Sequence, residues 1–337
     1  MTTGCIRGQH LITSLPEATP LAINKHLTVT KSTYLMPPAA TITTESTLIS
    51  ELNASPMIKL GPGEYLFYEI SQYDSVQNKI ITWLKVKSVS SANQTPENIF
   101  DISDHKVRIS LNYLIFFPQI NINASPFLID ISNGEKTSLP DEMKNCQSLD
   151  IFQKNKYIAS CSFNGAVELY FWSPNSLALE QITNCSLEKD ECLLPQLSPN
   201  GKWIAYYRIP QGGLQSTSVG LYIMPTSCLN KPEGCESQSI GPYEADGIFS
   251  WSPDSKYLAV NLDDHIRIYD VGNNSLENFT DLKNLSSYCE ISWSPDNNRV
   301  IFSQDSLSEY FLTTKSVSLI QGIEPNACVI NLIKISQ

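Results

Sequence analysis

Basic residues are scarce in this 337-residue sequence. Lys and Arg number 23 against 34 Asp and Glu, a formal charge of −11, and no basic block occurs. Phosphate contacts need clustered cations, so a nucleic-acid partner is not expected. Long apolar runs are missing too. The stretch Tyr113–Phe117 is typical of what occurs, far short of the roughly 18–20 residues that span a bilayer. Histidine is limited to His10, His26, His105 and His265, none paired with a cysteine, and there is no Cys-x-x-Cys. Structural zinc wants such close pairs, so no metal or other cofactor is expected. The Gly-x-Ser-x-Gly nucleophile elbow of α/β-hydrolases is absent, and with it the catalytic half of enzymes that join such a domain to a propeller. No stretch carries a convincing helical period.

What is present points to β structure. Hydrophobic residues make up 42% of the chain, enough for a core, and Tyr 15, Phe 12 and Trp 5 favour strands. A repeat organises them. Leu197–Tyr206, Trp251–Val260 and Trp293–Phe302 are three plain copies of an aromatic or aliphatic residue, Ser-Pro-Asp/Asn, and a short apolar run. Phe152–Ala159 is a degraded copy, and Ile109–Phe116 and Leu60–Phe67 are fainter ones, at steps of 43 to 54 residues. The longest step holds an insert, Pro210–Gly220.

The physics of the unit is legible. One strand ends on the aromatic residue, Pro presets φ for a tight turn, and the Asp or Asn side chain bonds the backbone beyond it. A second hairpin follows, as in His265–Asp270, which alternates at period 2. Four short strands per unit of roughly 40–50 residues is the arithmetic of a propeller blade, and lone blades cannot bury their faces. The expectation is an all-β, six-bladed propeller of four-stranded antiparallel blades. The tail Cys328–Ile335 supplies one more opening strand, which either joins the first blade or forms a seventh with the segment around Leu27–Thr30. Residues 1–50, rich in Thr, Pro and Ser, are expected to be a flexible tail or tether, and 51–337 the propeller.

These Trp-Ser-Pro-Asp units resemble the WD-like repeats of the TolB-type β-propeller family, strongly after Pro195 and weakly before. The resemblance implies a periplasmic or extracellular propeller, often a lipoprotein or secreted protein, that works by binding. The family motif is structural and assigns no active site. Its usual glycine after Asp survives only as Gly201; Ser255 and Asn297 stand elsewhere, which leaves the turn subtype open.

Nine cysteines remain to be placed. Cys185–Cys192 and Cys228–Cys235 each enclose six polar, turn-prone residues, the outline of a pinched loop, and are expected to pair locally. Cys146 and Cys161 flank a hairpin turn and are expected to bridge adjacent strands. Cys289 and Cys328 both precede first strands, whose separation sets the question of whether they meet. Disulfides imply an oxidising compartment, outside the cytoplasm. That leaves Cys5. Thr2-Thr3-Gly4-Cys5 resembles the end of a bacterial lipoprotein signal, without its Leu and without the basic and apolar segments of an export signal. Either Cys5 is a lipidated anchor or it is an incidental tail residue.

Few constellations suggest chemistry. Ser186–Lys189 fits Ser-x-x-Lys but sits inside a proposed disulfide loop, Asp263-Asp264-His265 reads as a hairpin turn, and Glu188, Asp190 and Glu191 lack calcium-loop spacing. Lys85 and Lys87 alternate like a solvent-facing edge of a strand. Trp172, Trp203, Trp251 and Trp293 recur near repeat positions and read as core, with sugar stacking the competing role for Trp172 or Trp83. No catalytic residue is assigned. The leading expectation is a monomeric, extracytoplasmic interaction module presenting loops to a protein or glycan. A propeller-based hydrolase or lyase with its site in the central funnel is one alternative, and a structural spacer in a cell-surface assembly the other.

Overall fold

The computed structural model describes residues 60–335 apart from 90–96, 119–124, 154, 176–177, 212–219, 231–235, 243–248, 263–264, 279–288 and 304–305. The tail over 1–50, the Leu27–Thr30 segment and Asp263-Asp264 therefore lie outside the described residues.

Six four-stranded antiparallel sheets form the blades of a β-propeller. Blade 1 contains β1 (Gly63–Asp74), β2 (Lys79–Ser88) and β3 (Glu97–Asp101); blade 2 contains β4 (His105–Ser110), β5 (Tyr113–Pro118), β6 (Phe127–Asp130) and β7 (Lys136–Ser138). Blade 3 runs through β8 (Cys146–Gln153), β9 (Lys156–Phe163), β10 (Ala166–Trp172) and β11 (Glu180–Gln181). Blade 4 has β12 (Asp190–Leu197), β13 (Trp203–Pro210), β14 (Gly220–Pro225) and β15 (Gln238–Pro242). Blade 5 has β16 (Phe249–Trp251), β17 (Tyr257–Leu262), β18 (His265–Asp270) and β19 (Ser275–Asn278). Blade 6 has β20 (Ser292–Trp293), β21 (Arg299–Ser303), β22 (Leu307–Phe311) and β23 (Ser316–Leu319). The last strand, β24 (Cys328–Ile335), pairs antiparallel with β1, Gly63 opposite Ile335 and Glu69 opposite Cys328. It becomes the innermost strand of blade 1, so the ring closes on six blades by joining the two ends of the described chain. Closure also removes the open edge that β1 would otherwise present.

The strands alternate between two cores. On β13, Ala205 and Tyr207 pack with Phe249, Trp251 and Val260 of blade 5, whereas Ile204 and Tyr206 pack with Ile158 and Leu169 of blade 3. On β21, Val300 and Phe302 face Ala259 and Ile268 of blade 5, while Ile301 meets Leu66 and Val329 of blade 1. Each junction between blades is thus a hydrophobic core of its own. Burial on both faces is why these strands read as unbroken apolar runs instead of alternating ones.

The Ser-Pro-Asp/Asn turns repeat one geometry. The Ser252 hydroxyl donates to Asp254 (2.7 Å) and accepts from the Tyr257 N–H (2.9 Å), and the Asp254 carboxylate accepts from the Lys256 N–H (3.2 Å). Ser198 with Asn200, and Ser294 with Asp296, do the same. The residue where the family prefers glycine has positive φ in all three: Gly201 at 67°, Ser255 at 63° and Asn297 at 59°. The turn subtype is therefore shared. The side chains that replace glycine bridge blades: Ser255 Oγ accepts from the Asn200 N–H (2.9 Å) and Asn297 Oδ1 from the Asp254 N–H (3.0 Å).

One expectation is corrected, and one open question is answered. Lys85 and Lys87 are not a solvent face. Lys87 is 7% exposed and donates to the Gln321 carbonyl (2.5 Å), while Lys85 is paired with Glu324. Both hold the segment that leads from blade 6 into β24, where a solvated strand edge would hold nothing. Nor do the first strands of neighbouring blades lie too far apart for a bridge. Cys289 and Cys328 form a disulfide with Cα atoms 4.9 Å apart, because these innermost strands converge at the axis.

Candidate functional site in the central channel

The innermost strands carry their polar side chains toward the axis, around a cavity of about 510 Å³. Its lining comes from all six blades: Arg108 and Ser110 from blade 2, Asp150 from blade 3, Gln196 from blade 4, Ser250 from blade 5, Glu290 from the approach to blade 6, and Asn331 and Lys334 from β24. Pro199, Pro253 and Pro295 bound it where the Ser-Pro-Asp/Asn turns lie.

Hydrogen bonds tie this lining into a belt. Asp150 accepts from the Ser110 hydroxyl, from its neighbour Ile151 N–H (2.8 Å) and from the Leu197 N–H (2.6 Å), linking blades 2, 3 and 4. Gln196 donates to the Phe249 carbonyl (2.8 Å), linking 4 to 5. The indole N–H of Trp251 donates to the Gln196 carbonyl (3.2 Å), and that of Trp293 to the Ser250 carbonyl (3.0 Å). Ser292 carries the belt from blade 6 to β24 of blade 1, its hydroxyl bonding Asn331 Oδ1 (2.8 Å) and accepting from the Leu332 N–H (2.8 Å). Burial pushes the Asp150 carboxyl above the usual carboxylate range, while its donors and the charge of Arg108 oppose that rise.

Glu69 of β1, the strand next to β24, lies within charge range of Glu290. Burial of Glu69 raises its carboxyl, the charge of Glu290 raises it further, and Lys106 works the other way.

The cysteines lie away from this lining. Cys146 and Cys161 are bonded across β8 and β9, with Cα atoms 3.8 Å apart. Cys185 and Cys192 close the loop between blades 3 and 4. Cys228 is disulfide-bonded, and Cys235, its expected partner, lies outside the described residues, as does Cys5. Glu168, Cys185 and Cys192 gather their donor atoms within 4.8 Å, yet the two sulfurs are bonded to each other. Glu168, 1% exposed, is taken up by Thr183 Oγ1 (2.6 Å) and the N–H groups of Cys185 (2.8 Å) and Ser186 (2.7 Å). That is a loop staple, not a metal centre. Glu188 and Asp190 are neutralised by Arg208. Trp251 and Trp293 are buried. Trp172 stacks on Tyr157 with centroids 5.6 Å apart, and neither it nor Trp83 lines the channel.

Sequence reasoning missed Arg108, Asp150 and the belt. The signal was a lone polar residue directly before the aromatic or aliphatic one that opens each plain turn motif, Gln196, Ser250 and Ser292; in the degraded copy Asp150 stands two positions before Phe152.

No protein-family model matches the sequence, and no curated protein does. Solved structures do match. TolB from Acinetobacter baumannii superposes with a TM-score of 0.56 at 15% identity, over 84% of this chain and 70% of that one. A protein assigned as TolB from Agrobacterium tumefaciens gives 0.50 at 14% identity, over 77% and 89%. In fold, the chain is a TolB-like β-propeller.

Proposed function

We propose that this protein is a binding module of an oxidising, extracytoplasmic compartment, working as a monomer and taking its partner at the central channel. The observation that carries the reading is convergence. Every blade delivers at least one polar side chain to a single cavity, held in place by hydrogen bonds that cross between blades. Preorganised polar groups around one concave site are what recognition requires. The acid best placed for proton transfer, Asp150, already accepts three bonds, which suits a scaffold better than a general base. The disulfides support the compartment, since such bonds persist where thiols are not kept reduced. In this reading residues 1–50 are the tether and Cys5 its anchor.

Pull-down from an envelope extract with the wild type and with Ser250→Trp, which fills the channel, tests the site. Capture of a partner by the wild type and its loss in the variant is expected. Equal capture by both would move the interface to the outer loops. Turnover in a broad screen of glycoside and peptide substrates would replace the binding reading with an enzymatic one.

A further inference from the structure

We propose that Arg108 anchors a carboxylate and that the ligand of the channel is an acidic peptide; this rests on the channel reading above. Arg108 projects from β4 into the cavity lining. Among the described residues it makes no hydrogen bond or ion pair, and its Nη1 is shielded from solvent without an acceptor. Arg108 is half-buried, and a guanidinium nitrogen taken out of water is normally paired, because desolvating an unpaired donor is costly. The carboxylate whose charge it feels, Asp150, is held by other donors and makes no hydrogen bond to it. One Asp150 oxygen holds the Ser110 hydroxyl and the Ile151 N–H, and the other holds the Leu197 N–H. A planar fork of donors lining a cavity, with its Nη1 unpaired, matches an incoming carboxylate in bidentate geometry. Lys334, from the adjacent innermost strand β24, adds a second cation to the lining. Asp150 and Glu290 line the same cavity, so an anion is placed by the Arg108 fork and not by an excess of positive charge.

The remaining lining favours peptide over sugar. A sugar ring binds best on a broad aromatic face, and the indoles at the cavity do not offer one. Trp251 and Trp293 are buried at 6% and 3% exposure with their N–H groups already donated. Phe249 is fully buried, and Phe152 packs edge-on against Phe171. What faces the cavity instead is Ser198, Gln196, Ser250 and Asn331, groups suited to peptide amides.

Calorimetric titration of the full chain with acetyl-Gly-Glu-Gly-Glu-Gly-amide and its Gln counterpart provides the test. The Glu peptide is expected to bind at least tenfold more tightly than the Gln peptide. Arg108→Gln should remove that preference, and Arg108→Lys, which keeps the charge but loses the fork, should fall between. Thermal denaturation supplies the second readout: Arg108→Gln should melt at or above the wild-type temperature, because an unpaired buried cation has gone. Equal affinity for the two peptides, no binding of either, or tighter binding of a galacturonate tetramer than of the Glu peptide would each overturn the proposal. So would a lowered melting temperature with the Glu preference intact. If Ser250→Trp blocks partner capture while the Glu peptide does not bind, only the carboxylate assignment fails and the channel reading stands.

Discussion

At the scale of single residues, the sites that break the repeat carry the most information. Where the family places glycine after Asp, Ser255 and Asn297 accept left-handed backbone, which costs a non-glycine residue free energy. Each recovers a hydrogen bond to the preceding blade, of the order of 1 kcal/mol. Glu69 shows the opposite balance, because nothing compensates its burial fully. Its carboxyl is raised by burial and by Glu290. An acid with a raised folded-state pKa binds its proton more tightly when native. Its stabilising contribution is therefore complete below about pH 4 and is lost as pH rises through the carboxylate range. Glu69→Gln should raise the melting temperature at pH 7 and show no gain near pH 4. Thermal denaturation across that range decides it, and a destabilised variant at pH 7 would count against the account.

At the scale of elements, the repeat motif is a device for joining blades, and this explains its composition. Tryptophan opens the turn in blades 5 and 6 because an indole fills the junction core and also donates its N–H to the innermost strand next door. Phenylalanine could do only the first. Trp293→Phe should therefore cost roughly 1–2 kcal/mol in urea unfolding, combining the lost hydrogen bond with some lost volume. A neutral result would show that the Ser250 carbonyl finds another donor.

At the scale of the whole molecule, the junction of blades 6 and 1 has to hold a ring closed only by the pairing of β24 with β1. It is reinforced accordingly. Glu324 takes Lys85 and the Tyr68 hydroxyl (2.9 Å), Lys87 holds the Gln321 carbonyl, and Ser303 accepts from the Val329 N–H (3.0 Å). The Cys289–Cys328 disulfide then crosses the same junction over a separation of 39 residues. Loop-closure arithmetic gives such a crosslink about 4 kcal/mol, against about 3 for the 15-residue Cys146–Cys161 loop. Cys289→Ser with Cys328→Ser should consequently destabilise more than Cys146→Ser with Cys161→Ser. Hydrogen exchange in that first variant should rise earliest in β24 and β1. Uniform exchange across all blades would show that the junction is no weaker than the others without its crosslink.

The sequence by itself determined the all-β class and the blade as unit, because Ser-Pro-Asp turns and short apolar runs are local properties of the chain; it favoured six blades over seven, and the pairing of β24 with β1 decided the count. It also marked Cys146 with Cys161 and Cys185 with Cys192, whose pairing needs only one hairpin or one loop. Arg108, Asp150 and the belt of bonds around the axis were not legible, since they join residues tens of positions apart on strands that meet only at the centre of the ring. The same holds for Lys85 and Lys87, whose alternation looked solvated until the arrival of residues 321–324 buried them. Local spacing can fix a turn or a strand, but only ring closure decides which strands face one another, and the channel is lined by those innermost strands and the turns beside them.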